Sequence, residues 1–343
     1  MQLELFNYNL PKSLIAQKPA TFRDRSRLLV FNKKTNKIKH DYFFNLLNYI
    51  DSNDVLVFNN SKVFPARLIC NKKTGGTIEV FLLNKINKNN WECLIGGKLG
   101  SARELDKNNL KINIIKKLNN GNWQIRFGLT GKKFEIFLNK YGQTPLPPYI
   151  KTKDSTIIRK KYQTIYAKYL GSVAAPTAGL HFTKRLLSGL NKKGVQIEFI
   201  TLHVGVGTFA PVKTARIEQH KIHKEFAVLD KATCARLNLA KKQGKNIIAV
   251  GTTSARVLES AIKNKNLKHF NGWVDIFIYP GYKFKFIDAI ITNFHLPKSS
   301  LLMLVSAFIG KGKVGIKKLM SIYKKAIKKK YRFYSFGDSM FIR

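Results

Sequence analysis

Acidic residues are scarce in this chain. It has 19 Asp and Glu against 62 Lys and Arg, which gives a formal net charge of +43. Such an excess attracts polyanions through counterion release and long-range steering, so nucleic acid is the natural partner. The alternative source of the charge is AT-rich coding, which enriches Lys, Asn and Ile. Because the basic residues are dispersed, charge alone does not locate a site.

Cysteine is also rare, and long apolar runs are absent. Cys70, Cys93 and Cys234 are too far apart for a zinc or redox motif, and their odd number disfavours a disulfide framework. We expect each to be a small buried apolar residue. No run reaches the roughly 20 apolar residues that span a bilayer, and the first residues lack the features of a secretory signal. These absences predict a cytoplasmic protein with no membrane partner.

Three common ligand motifs are missing too. No GxGxxG follows an early strand and no GxxxxGK[ST] occurs, which argues against dinucleotide-binding and P-loop folds. His220, His223 and Glu225 invite a zinc interpretation, but they lack the HExxH spacing. We therefore predict no metal site.

Length and strand patterns predict two domains. A chain of 343 residues exceeds what one core usually holds. The run VLVF at 55–58 predicts a buried strand, and short apolar runs from about Leu68 to Asn139 predict a small all-β unit, which ends at Pro145 to Pro148. We predict a mixed α/β main domain, residues 1–66 and 147–343, with an inserted small all-β barrel domain at residues 67–146.

The pattern after the prolines alternates strand and helix. VQIEFITLHV, NIIAVGTT and FIDAIITNFH are predicted strands, and TSARVLESAI is a predicted helix between two of them. A last helix, VGIKKLMSIYKKAIKKK, has apolar residues on one stripe and lysines elsewhere. This pattern favours a surface helix packed by its apolar face over an RNA-binding or membrane helix.

Several dense segments lie where predicted strands end, and they resemble one family. The segments include LIAQKPATFRDRSRLLV, VFNNSKVFPARL, YQTIYAKYLGSVAAPTAGLHFT, TLHVGVGTFAPV, IAVGTTSARVLES, ITNFHLPKSSLLMLVSAF and YRFYSFGDSMFI. In content and order they are similar to the S-adenosylmethionine:tRNA ribosyltransferase-isomerase family of the queuosine pathway. The resemblance covers nearly the whole chain but is loose from Lys85 to Gln143. Ser61 and Lys62 stand where Thr and Arg are common in the family.

The resemblance implies a reaction at the wobble position of tRNA. The ribosyl part of S-adenosylmethionine is transferred to 7-aminomethyl-7-deazaguanine and rearranged, giving epoxyqueuosine-tRNA, adenine and methionine. S-adenosylmethionine is the co-substrate, no further cofactor is implied, and we expect a monomer. One alternative is an S-adenosylmethionine-dependent tRNA methyltransferase, against which the missing Gly-rich turn argues. The other is a non-catalytic RNA-binding module, which has no need of histidine-bearing strand ends.

The implied chemistry needs a base beside the sulfonium and a proton for the departing adenine, which nominates histidines and desolvated carboxylates. The predicted catalytic residues lie in the resembling segments and are His181, His203, Glu259, His295 and Asp338. Any of these histidines can instead be a hydrogen-bonded structural residue. Glu259 can instead pair with Arg256 or Lys263 along its helix.

The binding residues are predicted from a helix start, two glycines and the basic side chains. A strand-to-helix turn offers hydroxyls and free amides to the methionyl carboxylate, and an aromatic ring can stack on adenine. The predicted co-substrate residues are Thr252, Thr253, Ser254, Gly205, Gly207 and Phe209. The glycines alone are a weak signal, and core packing is the commoner fate of a Phe. The predicted phosphate contacts to tRNA are Arg27, Lys62, Arg67 and Arg256.

Overall fold

A computed structural model describes residues 1–205, 207 and 211–343. The strands are β1 (Arg27–Phe31), β2 (Ile38–Tyr42), β3 (Asp54–Asn59), β4 (Ser61–Val63), β5 (Arg67–Lys72), β6 (Thr77–Lys85), β7 (Asn90–Gly96), β8 (Glu104–Lys107), β9 (Leu110–Lys117), β10 (Trp123–Phe127), β11 (Tyr169–Ser172), β12 (Gln196–Leu202), β13 (Glu225–Leu229), β14 (Asn246–Val250), β15 (Ile262–Lys263), β16 (Asn266–Leu267), β17 (Phe270–Val274), β18 (Ala289–Asn293) and β19 (Ser339–Ile342).

The α-helices are α1 (Gly131–Tyr141), α2 (Thr156–Lys161), α3 (Lys184–Lys192), α4 (Lys231–Lys242), α5 (Thr252–Ala261), α6 (Ser300–Ile309) and α7 (Gly312–Lys328). Short 3-10 helices span Leu3–Phe6, Lys12–Leu14, Arg23–Arg25, Phe43–Asn48, Thr177–His181 and Ile217–Gln219.

The main sheet has the strand order β17-β13-β12-β3-β14-β18-β19-β1-β2. Strands β12, β3, β14 and β18 are parallel neighbours, and β19 is antiparallel to β18 but parallel to β1. Every residue of β3 and of β18 is buried. Strands covered on both faces need such continuous apolar runs, which is why VLVF was readable as a strand.

Each face of this sheet packs on its own apolar core. Val55 and Val57 of β3 point into one core, which also holds the apolar faces of α4 to α7. Leu56 and Phe58 alternate to the other face and pack with α3. Helix α7 buries Ile316, Leu319 and Tyr323, so it is the surface helix packed by its apolar face that the sequence predicts.

A six-stranded antiparallel barrel forms the second unit. It is closed in the order β10-β7-β6-β5-β8-β9. Its interior holds apolar side chains from every strand, including Leu68, Val80 and Ile112. The fold class predicted from the sequence, a mixed α/β protein with a small barrel, is confirmed.

One stretch of the expected all-β unit is not a strand. Residues 131–141 form helix α1, which buries Phe134, Phe137 and Leu138 beside the barrel. These three residues recur at helical spacing, so burying them on one face favours a helix over a strand. Cys70, Cys93 and Cys234 are buried and free, as expected. Among the described residues, no helix is both long enough and apolar enough to span a bilayer.

Candidate active site

A cavity opens at the carboxyl ends of β14 and β18. Residues 251–253 line it from the end of β14, and residues 292–296 line it from the end of β18. Residues 175–178 cover another side, and Tyr334 and Ser335 close it. Open α/β sheets bind ligands at this edge. We call this space the sheet-edge cavity.

Helix α5 begins at the floor of the sheet-edge cavity. Gly251 has φ of +91°, a left-handed conformation that turns the chain from β14 into the helix. Thr252 and Thr253 follow it and line the cavity. The first N–H groups of a helix have no partner within the helix, and the hydroxyl of Thr253 is buried without a hydrogen-bond partner among the described residues. This turn therefore offers unsatisfied donors to a ligand.

Ser254 does not share this role. Its side chain is fully buried, and its hydroxyl donates a hydrogen bond of 3.0 Å to the carbonyl of Val250. The hydroxyl is used to close the first turn of α5. Of the three residues predicted to bind the co-substrate here, the structure brings Thr252 and Thr253 to the cavity and leaves Ser254 behind them.

His295 is the predicted catalytic histidine that lines the sheet-edge cavity. Its Nε2 lies 2.9 Å from Oγ1 of Thr292, and its backbone N–H donates to the hydroxyl of Tyr323. Burial lowers the pKa of His295 to about 3. The ring is thus neutral and held by Thr292, and Nδ1 is the nitrogen available to a ligand.

His181 sits behind the cavity wall. Its Nδ1 lies 2.7 Å from Oγ of Ser26, and its Nε2 accepts a bond of 3.2 Å from the amide of Asn293. Burial, followed by the positive charges of Arg332 and Arg23, lowers its pKa to about 3. With both nitrogens occupied, His181 joins the 3-10 helix Thr177–His181 to β18. We propose a structural role for it instead of the predicted catalytic one.

The two predicted carboxylates hold backbone segments. Glu259 is buried and accepts hydrogen bonds from the Tyr282 hydroxyl and from three consecutive backbone N–H groups, those of Lys285, Phe286 and Ile287. It does not pair with Arg256 or Lys263, the alternative that the sequence left open. It anchors the chain just before β18 and lies outside the lining of the sheet-edge cavity. We propose a structural role for Glu259 instead of the predicted catalytic one.

Asp338 is also buried and accepts from the backbone N–H groups of Arg27 and Arg332. Burial raises its pKa. These bonds fix the turn before β19 against the start of β1. Asp338, like Glu259, is best explained as a structural anchor.

His203 faces away from the sheet-edge cavity. The next residue, Val204, lines that cavity and is paired with the neighbouring segment, since Val173 donates to its carbonyl at 2.9 Å. Side chains alternate across such a pair. The His203 ring accordingly lies on the other side, near-parallel to Phe226 at a ring-centroid distance of 6.4 Å, where it borders a cleft beside the barrel. The structure therefore does not bring His203 and His295 into one cavity.

The glycines of the same segment serve the backbone. The N–H of Gly205 donates to Oε1 of Glu225 at 2.9 Å. A Cβ on Gly207 would lie 2.3 Å from the ring of His223, so this position requires glycine for close approach. Phe209, predicted to contact the co-substrate, lies outside the described residues. No group of three or more His, Cys, Asp or Glu that could hold a metal occurs in the described part of the chain.

The residues predicted to contact tRNA divide by exposure. Arg256 is buried and forms an ion pair with Glu225, so we propose that it stabilises the fold instead of contacting a phosphate. Lys62 is exposed. Arg67 lies 3.4 Å from Glu79, and the Arg27 guanidinium covers the ring of Tyr331 at 3.8 Å. Among these four, Lys62 is the most accessible cation.

Sequence reasoning missed several polar residues of the sheet-edge cavity. Thr292 and Asn293 precede His295 in the segment ITNFHLP, and Tyr334 and Ser335 belong to YRFYSFG. The amide of Asn293 binds both His181 and the carbonyl of Tyr334. The signal was present, because both segments carry the family resemblance, but no sequence pattern shows that they meet.

An open mixed sheet whose central strands are parallel, with a cavity at their carboxyl edge and an inserted closed barrel, defines an α/β protein with a candidate ligand site. Comparison with known families makes this specific. The chain belongs to the family described as queuosine biosynthesis protein, whose model matches residues 3–342. The resemblance read from the sequence is thereby confirmed.

Individual relatives agree over their full lengths. The chain is 50% identical over 348 residues to an S-adenosylmethionine:tRNA ribosyltransferase-isomerase of Thermoanaerobacter sp. (strain X514), and 46% identical over 345 residues to one of Aquifex aeolicus (strain VF5). In both cases 100% of each chain is covered. The crystal structure of an S-adenosylmethionine tRNA ribosyltransferase from Thermotoga maritima is 34% identical, with a TM-score of 0.57 over 99% of this chain and 100% of that one.

Proposed function

We propose that this chain transfers the ribosyl part of S-adenosylmethionine to tRNA and isomerises it. The acceptor is 7-aminomethyl-7-deazaguanine at the wobble position, and the products are epoxyqueuosine-tRNA, adenine and methionine. The full-length relatives named for this activity confirm the prediction made from the sequence, at 46% and 50% identity. They do not favour the methyltransferase or the RNA-binding module.

The sheet-edge cavity is our proposed site for S-adenosylmethionine. It lies at the carboxyl edge of the sheet, where open α/β sheets bind small molecules. The amino terminus of α5 suits the methionyl carboxylate, since unpaired N–H groups and the helix dipole favour anions there. The unpartnered hydroxyl of Thr253 supplies a further donor. The observation that carries the proposal is that Thr253, a residue lining the cavity, has a buried hydroxyl without a hydrogen-bond partner among the described residues.

His295 is our candidate for contact with the reacting ribose. Its pKa of about 3 keeps the ring neutral, so it does not repel the sulfonium of the donor. A neutral imidazole held at Nε2 presents Nδ1 as an acceptor or a donor, depending on the tautomer that Thr292 selects. In either form, Thr292 fixes the position of the ring before substrate arrives.

Product analysis tests the activity. Purified protein is incubated with labelled S-adenosylmethionine and precursor-bearing tRNA. Release of adenine and free methionine is the expected result. S-adenosylhomocysteine would indicate methylation, and retained tRNA binding without turnover would indicate a binding module.

A pair of variants tests the donor site. Thr253→Val removes the hydroxyl at nearly constant volume, and we expect KM for S-adenosylmethionine to rise about tenfold because one hydrogen bond to a charged group is lost. Thr74→Val, at an exposed turn of the barrel, is the control and should leave KM unchanged. An unchanged KM in Thr253→Val would remove the α5 turn from the donor site.

A further inference from the structure

A second cavity lies beside the sheet-edge cavity, and three residues with cationic side chains are among those that line it. These are Arg23, Lys161 and Arg332. The hydroxyl-bearing residues Thr21, Ser26 and Ser335 complete its polar lining. Ser335 also lines the sheet-edge cavity, so the two spaces adjoin at this residue. We call the second space the cationic cavity.

Arg23 is held in place without using all its donors. Its guanidinium donates to the carbonyls of Gln163 (2.7 Å), Leu180 (3.3 Å) and Lys160 (3.0 Å). A guanidinium has five N–H donors, so at least two remain for another partner. Arg23 is partly buried, and this burial lowers the pKa of its guanidinium. A fixed, desolvated cation with spare donors suits a bound anion.

The nearby carboxylates form ion pairs with arginines other than Arg23 and Arg332. Asp24 contacts Arg185 at 3.3 Å, and Asp154 binds Arg159 at 2.6 Å. Among the described residues, no carboxylate lies within 4 Å of Arg23 or of Lys161.

Arg332 has a carboxylate neighbour, but a distant one. Its Nε lies 3.8 Å from Oδ1 of the buried Asp338, whose oxygens already accept two backbone N–H groups. Among the described residues, the three cationic side chains therefore have one carboxylate within 4 Å, that of Asp338, which does not line the cationic cavity. The surplus positive charge is left for a ligand.

His181 adds no further charge to this wall. Both of its nitrogens are hydrogen-bonded, and it stays neutral between the fields of Arg332 and Arg23. The 3-10 helix Thr177–His181 contributes residues to both cavities and so stands between them. An anion in the cationic cavity would therefore sit next to the proposed donor site without entering it.

We propose that the cationic cavity binds a backbone phosphate of the tRNA beside the target nucleotide. This inference rests on the proposed function and names residues for it that the sequence did not. Guanidinium groups match phosphate oxygens in geometry, and phosphate contacts fix the register of a nucleic acid on its protein. The donor's carboxylate has its own partner at the start of α5, and its sulfonium is repelled by three cations. Phosphate is therefore the better ligand here.

Lys161→Ala tests this site. The Lys161 side chain is partly exposed and makes no hydrogen bond or ion pair among the described residues. Removing one phosphate contact on single-stranded or duplex nucleic acid lowers the slope of log Kd against log salt concentration by about 0.7 to 0.9. We expect that change across a KCl series, with tRNA affinity about tenfold weaker and KM for S-adenosylmethionine unchanged. Lys192→Ala, an exposed lysine of α3 outside both cavities, is the matched control.

Arg332→Lys is a second variant that keeps the charge. It should keep the salt slope but weaken tRNA binding, because lysine lacks the planar fork. A salt slope in Lys161→Ala equal to that of the parent would overturn the proposal. So would a raised KM for S-adenosylmethionine with unaltered tRNA binding, which would assign the cavity to the donor's carboxylate.

Inhibition by inorganic phosphate shows whether the cationic cavity binds a free anion or the tRNA backbone. If Lys161→Ala relieves inhibition by inorganic phosphate and leaves the tRNA salt slope intact, the cavity binds free phosphate and the proposal is wrong. If Lys161→Ala relieves the inhibition and also lowers the salt slope of tRNA binding, the result supports the proposal. Failure of the parent to release adenine would contradict the proposed activity, whereas the binding slopes would still be measurable.

Discussion

His295 and Thr292 share a hydrogen bond of 2.9 Å between Nε2 and Oγ1 at the end of β18. The two residues are three apart and both are buried. The bond occupies one ring nitrogen and fixes the ring plane, so a ligand in the sheet-edge cavity meets Nδ1 alone. Positioning of this kind lets a neutral imidazole act on one atom of a substrate.

We expect His295→Ala to lower kcat by about 10²- to 10⁴-fold, the usual loss when a group that transfers or shares a proton is removed. Thr292→Val should lower kcat less, because the ring remains but loses its partner. Initial rates of adenine release measure both. His203→Ala is the comparison, and a greater loss there than in His295→Ala would place the reaction in the cleft beside the barrel.

Arg256→Met is expected to destabilise the protein by about 3 to 5 kcal/mol, because it leaves the buried charge of Glu225 without its cation. Urea denaturation measures the change. Arg185→Met is the control: that side chain is 81% exposed, so its ion pair with Asp24 should contribute about 1 kcal/mol or less. Wild-type stability with weakened tRNA binding in Arg256→Met would restore the RNA-binding role predicted from the sequence.

Glu259→Gln should lower the free energy of unfolding by about 1.5 to 3 kcal/mol, because an amide replaces a charged acceptor that three backbone N–H groups share. Activity per folded molecule should change little. Glu135→Gln, an exposed change on α1, controls for the loss of one negative charge. A hundredfold loss of turnover at normal stability would instead make Glu259 catalytic.

Acid should destabilise the fold through its buried histidines. Burial lowers the pKa of His181 and of His295 from 6.5 to about 3. Below pH 6.5 the unfolded chain binds protons at these rings while the folded protein does not until about pH 3. The unfolding free energy therefore falls as the pH drops through this window, by about 2 kcal/mol per histidine at pH 5.

The check is urea denaturation at pH 7.5 and pH 5 for the parent and His181→Asn. The variant lacks one of these two buried rings and keeps the other histidines, so its stability should fall by about 2 kcal/mol less over the interval. Asp338, whose pKa is raised, acts in the opposite direction but is common to both proteins. Equal losses in the two proteins would show that His181 titrates normally in the fold.

The sequence predicts the parts of the fold that depend on local pattern. The buried run 55–58 and the apolar stripe of α7 are readable because each element shows its burial in its own residues. The sequence does not predict helix α1, because short apolar runs typical of strands surround it. Phe134, Phe137 and Leu138 are therefore assigned to the all-β unit. Tertiary packing against the barrel decides its conformation.

The site is less predictable, because partners come from distant segments. Segment context placed Thr253 and His295 among the candidates, and both line the sheet-edge cavity. It could not show that Arg256 meets Glu225, or that Glu259 holds residues 285–287. The sequence predicts functional roles for charged residues in family motifs, whereas the buried pairing of Arg256 and the backbone contacts of Glu259 favour a structural role for both.

Strand β19 lies between β18 and β1. Leu28 of β1 pairs with Ser339 of β19, although the two residues are far apart in the sequence. Joining segments so far apart costs chain entropy before the contacts repay it, and such distant pairings slow folding. During synthesis, the edge of β1 that pairs with β19 stays without its partner strand until β19 emerges from the ribosome. The sheet that forms the sheet-edge cavity is thus completed late, and its unpaired edge is open to edge-to-edge association until then.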